Sequence, residues 1–269
     1  MLFHYNTLIV KLFPLTKSLK VYLNQEYINK EMLFELEGLF SWLGNHIEVS
    51  SVYLSSTGSI FSKGFNNEDI KNSESEKFQS YLERIQKLTH SMCYLPQTFI
   101  VDIKQGAFSE ASEIILGADI IIANEKSSLT FNHLVQGRIP QSGGIGLLNS
   151  KVGHSRAQSW VMLGKEVKIN ELISSGLIYK TYNEDDKNPE TELLETISNQ
   201  SQISRIQAKR ALLESVIGQM ENSKIYESIF AKAAISVEDW KEYLRAEKEN
   251  KKPEYKRARD ISITNETKA

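Results

Sequence analysis

KQGAFSEASEIILGADIIIANEKSSLTFNHLVQGRIPQSGG, residues 104 to 144, packs short apolar runs, turn residues and helix signals into one segment. Gly106 leads through Ser109, placed to cap a helix that begins near Glu110. Ile120 to Ala123 reads as a buried strand and Leu129 to Phe131 as a short one. Pro140 to Gly146 forms a glycine-rich turn into a further helix. Working back, Phe99 to Ile103 is a buried strand, preceded by an amphipathic helix marked by Phe78, Tyr81, Leu82, Ile85 and Leu88. Before that come a loop from Ser55 to Asn67 holding Gly58 and Gly64, a strand from Ser51 to Leu54, and a helix whose buried face is Met32, Leu33, Leu36, Leu39, Phe40 and Leu43. Tyr5 to Phe13 and Lys20 to Leu23 read as an opening hairpin. Such alternation predicts an α/β fold.

Towards the C-terminus the character changes after about Asn183. Charged helices are expected over Thr191 to Gly218, Ile225 to Ala234 and Ser236 to Glu249, the last with a Ser236 and Asp239 capping pattern. This divides the chain into a core over 1–185 and a C-terminal helical subdomain over 186–269. With 32 basic and 34 acidic residues among 269, the net charge of −2 gives no electrostatic reason for a phosphate-backbone partner. Nucleic acid is therefore not expected. The 41% hydrophobic and 25% charged contents belong to an ordinary globular protein. Asn6, Thr7 and Lys11 interrupt the apolar start before a signal-type core or membrane span develops, so it reads as a first strand and no membrane partner is expected. A single cysteine, Cys93, fits a reducing compartment, with cytoplasm as the default. No metal site is expected, because His90 and Cys93 have no third and fourth ligand beside them.

Three stretches in order, IFSKGFNNEDI at 60 to 70, the segment at 104 to 144 and VEDWKEYLRAEKENKKPEY at 237 to 255, resemble the crotonase (enoyl-CoA hydratase/isomerase) family. Phe61 and Gly64, then Glu113 with Asp119, then Gly137, Pro140, Gly143 and Gly144 keep the family spacing. Asn66 stands where an aspartate is usual. LGKEVKINELISSGLIYKTY at 163 to 182 is also similar. The resemblance implies a spiral of ββα units with a C-terminal helical oligomerisation region, assembled as a homotrimer or a dimer of trimers.

The same resemblance implies a coenzyme A thioester as substrate and no cofactor. Adenine and pantetheine would lie along Tyr27, Ile28, Ser62, Lys63 and Gly64. The lysines at 247 to 252 would approach a coenzyme A phosphate of a neighbouring subunit. The thioester carbonyl would face the backbone N–H groups of Phe65 and Glu110, and two preorganised donors are what a developing enolate oxygen requires. Glu110 stands where the family usually carries a glycine. Glu113 matches the first family carboxylate, and His133 falls where hydratases carry the second glutamate. These two are the expected catalytic pair, since a carboxylate and an imidazole can both move protons near neutral pH. Glu110 and Glu113 lie three apart on a helix and share a face. The expected activity is enoyl-CoA hydratase/isomerase-type enolate chemistry. The alternatives are a hydrolase or decarboxylase using His133, or a non-catalytic acyl-CoA-binding paralogue.

Overall fold

The computed structural model describes residues 4–71 and 73–256, so the outermost ends of the two expected regions, 1–3 and 257–269, lie outside the described residues. The hairpin forms as expected: β1 (Leu8–Phe13) pairs antiparallel with β2 (Ser18–Leu23). Parallel strands follow on its inner edge: β3 (Ser51–Ser56), β4 (Thr98–Ile103), β6 (Ile120–Asn124) and β9 (Lys180–Tyr182). The sheet order is β1-β2-β3-β4-β6-β9. β3 and β4 are buried along their whole length, which explains their apolar runs: a parallel sheet has both faces covered.

A smaller sheet supplies the second strand of each repeat. β5 (Ala107–Phe108) pairs parallel with β7 (Ser128–Thr130), and β7 pairs antiparallel with β8 (Glu166–Lys168). Isolated bridges Ile28 to Phe65 and Ser62 to Ala107 carry this inner layer back to the earlier turns. Each turn of the spiral then closes with a helix: α1 (Lys30–Gly44), α2 (Ser75–Tyr94), α3 (Glu110–Ile115) and α4 (Gly144–Val152). α1 and α2 bury the six and five apolar positions that their periodicity marks. Asn29 starts α1 by accepting the Met32 N–H at 2.8 Å.

Three details depart from the sequence reading. Ser109 does not cap α3, because its φ of 50° turns the side chain away to Asn132 Oδ1 and Gln136 Oε1. The stretch from Thr191 to Gly218 is not one helix: α7 (Thr191–Ser198) stops at Asn199, and Ser201 caps α8 (Gln202–Glu214). Ser236 closes α9 (Ile217–Ser236) instead of opening the next helix, and Glu238, at φ 67°, precedes α10 (Asp239–Lys248). α5 (His154–Leu163) and α6 (Ile169–Ser174) complete the order.

Met220, Ile235 and Trp240 of the later helices belong to the same apolar core as the spiral's Leu33, Phe99 and Phe131. α7 covers the outer face of the large sheet, where Leu193, Leu194 and Ile197 meet Tyr53, Ile100 and Ile122. Among the described residues no helix is long and apolar enough to cross a membrane.

The turn after α3 fixes how that short helix sits on α2. A Cβ on Gly117 would come within 2.5 Å of the Thr89 carbonyl oxygen and 3.3 Å of Met92 Sδ. Gly117→Ala is therefore expected to lower the unfolding free energy by about 1–3 kcal/mol, the usual cost of overpacking, as read from urea unfolding curves. An unchanged midpoint would show that α3 and α2 can part without cost.

Candidate active site

The inner layer brings the loop before α2 against the start of α3. Gly64 has φ +90°, and a Cβ there would lie 2.9 Å from Glu110 Oε2 and 3.0 Å from the Phe108 carbonyl. Only glycine allows both that conformation and that approach. The Phe65 N–H consequently reaches across and donates to Glu110 Oε2 at 3.0 Å. Ile28 and Ser62 hold the loop in place from inside, both fully buried. The Ile28 N–H donates to the Gly64 carbonyl at 2.9 Å, and Ser62 Oγ donates to the Glu26 carbonyl at 3.0 Å. Tyr27 and Lys63 instead face outward into a cleft of about 260 Å³, whose wall also includes Phe65, Glu110, Asn132, Gln136, Arg138 and Tyr243. Roomier clefts of about 460 and 420 Å³ lie beside α8 and above Tyr53, but neither has Glu110, Glu113 or His133 in its wall.

From the cleft wall inward runs a line of buried ionisable groups. Glu110 Oε1 pairs with the Arg138 guanidinium, whose other nitrogen donates to Gln136 Oε1. Burial lowers the Arg138 pKa to about 10, which still leaves it cationic at neutral pH. The same Glu110 oxygen lies 4.0 Å from His133 Nε2, and that nitrogen lies 2.8 Å from Glu113 Oε1. The 2.8 Å contact is close but lies outside the angular range of a hydrogen bond. Glu113 Oε1 and both His133 ring nitrogens are therefore buried without a hydrogen-bond partner. The second oxygen of Glu113 is fully engaged: the N–H groups of Ser142 and Gly144, at the start of α4, both donate to Oε2 at 2.8 Å. A carboxylate placed there is oriented by two backbone donors and favoured by the helix dipole. One oxygen is fixed and the other is left available to His133.

The expected pair Glu113 and His133 is thus brought together, one step behind the cleft. Asp119 keeps its sequence distance from Glu113 but serves elsewhere, accepting the Phe99 N–H at 2.8 Å and pairing with Lys209 at 2.7 Å. Glu110 was expected to serve through its N–H; its side chain also enters the site, occupying the Phe65 donor.

The sequence model of the enoyl-CoA hydratase/isomerase family matches residues 23–258. The chain belongs to that family. Among its relatives, YhaR of Bacillus subtilis, which carries the same family name, is 24% identical over 232 residues, covering 85% of this chain and 89% of its own length. The trans-2-decenoyl-[acyl-carrier-protein] isomerase of Streptococcus mutans is 22% identical over 212 residues, covering 77% of this chain and 81% of its own. In architecture, an enoyl-CoA hydratase from Mycobacterium avium subsp. paratuberculosis superposes with a TM-score of 0.81 at 18% identity, covering 91% of this chain and all of that one. The fold is the crotonase fold.

Two residues of this buried cluster have no signal in the pattern of the sequence. Arg138 stands as a single cation between Gly137 and Ile139, outside any periodic segment. Glu227 belongs to α9, where it follows Glu221 and Lys224 at three-residue intervals like one of a row of surface charges, yet it is buried and accepts the N–H groups of Gly143 at 3.0 Å and Gly146 at 3.1 Å. The start of α4 therefore receives two carboxylates, Glu113 and Glu227. Burial and then the nearby Glu113 charge push the Glu227 pKa up to about 7. His90, packed beside Gly143, is pushed down to about 4 by burial and by Lys224.

These two shifts have opposite consequences for stability. With its pKa raised in the folded state, Glu227 holds its proton where the unfolded chain has lost it, so its contribution falls as pH rises from about 4.5 to about 7. His90 stays neutral where the unfolded chain is protonated, so its contribution falls as pH drops from about 6.5 to about 4. The slopes oppose each other in the wild type. Glu227→Gln is expected to leave the His90 slope unopposed, giving a stability that climbs with pH between about 4 and 6.5 and a difference from wild type that shifts in the variant's favour towards about pH 7. Denaturant unfolding across that range measures it, and parallel profiles for the two proteins would show that Glu227 titrates normally.

Proposed function

We propose that this protein moves a proton on an acyl thioester by hydratase/isomerase-type enolate chemistry, and that double-bond isomerisation is the reaction the site fits best. The observation that carries the reading is a continuous line of groups that starts with the Phe65 N–H and the Glu110 side chain in the cleft wall and runs on behind it to His133 and Glu113. An N–H donor there suits the oxygen of a thioester enolate, with the Glu110 N–H as its expected companion. The acyl group beyond the carbonyl would run inward towards His133 and Glu113.

Isomerisation requires a proton to leave one carbon and arrive at another, and a carboxylate with one free oxygen beside an imidazole can carry it. Hydration would also need two acceptors to hold a water, and here the second is a histidine. The Streptococcus mutans relative, named as an isomerase of a thioester on acyl carrier protein, supports the same choice. Coenzyme A is the proposed carrier, with Tyr27 and Lys63 meeting it directly and Ile28, Ser62 and Gly64 shaping the edge of the loop. No resident cofactor is assigned, because the enolate charge would be met by protein N–H donors. A homotrimer or a dimer of trimers belongs to the same proposal and is supported by the exposed Ile225, Tyr226, Ile229 and Phe230 on α9. So does a reducing, cytoplasmic setting, in which the Cys93 thiol, pushed up to about 11 by burial, is unreactive.

Purified protein offered 3-enoyl-CoA, 2-enoyl-CoA, β-hydroxyacyl-CoA and malonyl-CoA is expected to interconvert the first two. Glu113→Gln should lower turnover by about 10²–10⁴-fold while KM changes little, since proton transfer and not binding is removed. Decarboxylation or hydrolysis that survives Glu113→Gln but fails in His133→Asn would favour the His133 alternative. Thioester binding without any conversion would favour the non-catalytic one.

A further inference from the structure

We propose that the Glu110 carboxylate is a third acid–base group of this site, the one that meets the α-carbon of the substrate. The inference rests on the reading of the cleft as a thioester site. In the resting structure the Glu110 carboxylate stands where the substrate carbonyl must go. It accepts the Phe65 N–H at 3.0 Å, pairs with buried Arg138, and belongs to the cleft wall, as Glu113 and His133 do not. A thioester oxygen can take that N–H only by displacing the carboxylate. Arg138 limits where the displaced group goes: a buried carboxylate that loses one partner stays with its remaining cation. It therefore comes to rest beside the carbonyl it has made room for, next to the α-carbon.

From that position the step is a simple proton transfer. The α-carbon–hydrogen bond breaks, its electron pair enters the thioester as an enolate whose oxygen sits on the Phe65 N–H, and the proton goes to Glu110. On the cleft wall Glu110 can trade that proton with solvent before it returns a proton to the α-carbon in the reverse step. His133 Nε2, 4.0 Å from Glu110 and 2.8 Å from Glu113, connects the outer carboxylate with the inner one that serves the far carbon. Three acid–base groups then divide the work. Glu110 acts at the α-carbon, and Glu113 with His133 acts deeper along the chain.

The division of labour is testable with butyryl-CoA, a saturated thioester that can exchange its α-hydrogens with deuterated water but cannot isomerise. Mass spectrometry is expected to show α-exchange in the wild type, a loss of 100-fold or more in Glu110→Gln with butyryl-CoA still bound, and a loss at least tenfold smaller in Glu113→Gln. Glu110→Asp keeps the charge facing Arg138; should the glutamine variant fail to fold, this shorter carboxylate is expected to lose at least tenfold in exchange. Wild-type exchange in Glu110→Gln or Glu110→Asp overturns the assignment, as does equal loss in Glu110→Gln and Glu113→Gln. Either of those results leaves the thioester reading intact if 3-enoyl-CoA is still converted. A wild-type protein that neither exchanges nor converts any thioester removes both.

Discussion

The Glu110 carboxylate, held between the Phe65 N–H and the Arg138 guanidinium, is the contact through which the rest of the site is organised. It joins three separate parts of the spiral: the loop after β3, the start of α3 and the turn after β7. Burying a carboxylate at that junction is costly unless it is paired and hydrogen-bonded. The fold meets the requirement with one N–H and one guanidinium. Removing either partner would leave a charge in the interior, so the loop, the helix and the turn are obliged to stay in register.

The same logic extends inward. Glu113 and Glu227 are both buried, and each accepts two backbone N–H groups from the start of α4, those on Glu113 both going to one oxygen. A helix start offers several unpaired N–H donors and the positive end of its dipole, and here it meets carboxylates from α3 and from α9. With this cap, α9 is tied to the spiral by a polar contact in addition to Met220 and Ile235 in the core. Between the two carboxylates of α3 lies His133, whose ring nitrogens are buried without hydrogen bonds. Buried polar atoms left unpaired are costly and cluster where chemistry is done. The arrangement keeps exchangeable protons close together and out of water.

The elements with strong periodicity were legible in the sequence, because burial alone decides them. The buried faces of α1 and α2 and the runs of β3, β4 and β6 follow from apolar spacing, and the pairing of β1 with β2 follows from two β-rich runs around a turn. Family spacing singled out Glu113 and His133, which the fold places 2.8 Å apart. What remained hidden depends on tertiary contacts. Ser109 has the composition of a cap, but the left-handed backbone that brings β5 into α3 sends its hydroxyl to Asn132 and Gln136. Arg138 and Glu227 look like ordinary surface charges until the chain folds around them. The Glu110 side chain was visible in the sequence only as a departure from the family glycine on the face of Glu113; its contacts with Phe65 and Arg138 come from distant segments.

How the site works depends on whether a thioester oxygen replaces the Glu110 carboxylate on the Phe65 N–H. A crystal structure of the protein with butyryl-CoA bound tests that most directly. The account predicts the thioester oxygen within hydrogen-bond distance of the Phe65 nitrogen, with the Glu110 carboxylate moved off that nitrogen, still paired with Arg138 and next to the α-carbon. A bound thioester whose oxygen lies elsewhere, with Glu110 unmoved on the Phe65 N–H, would contradict it.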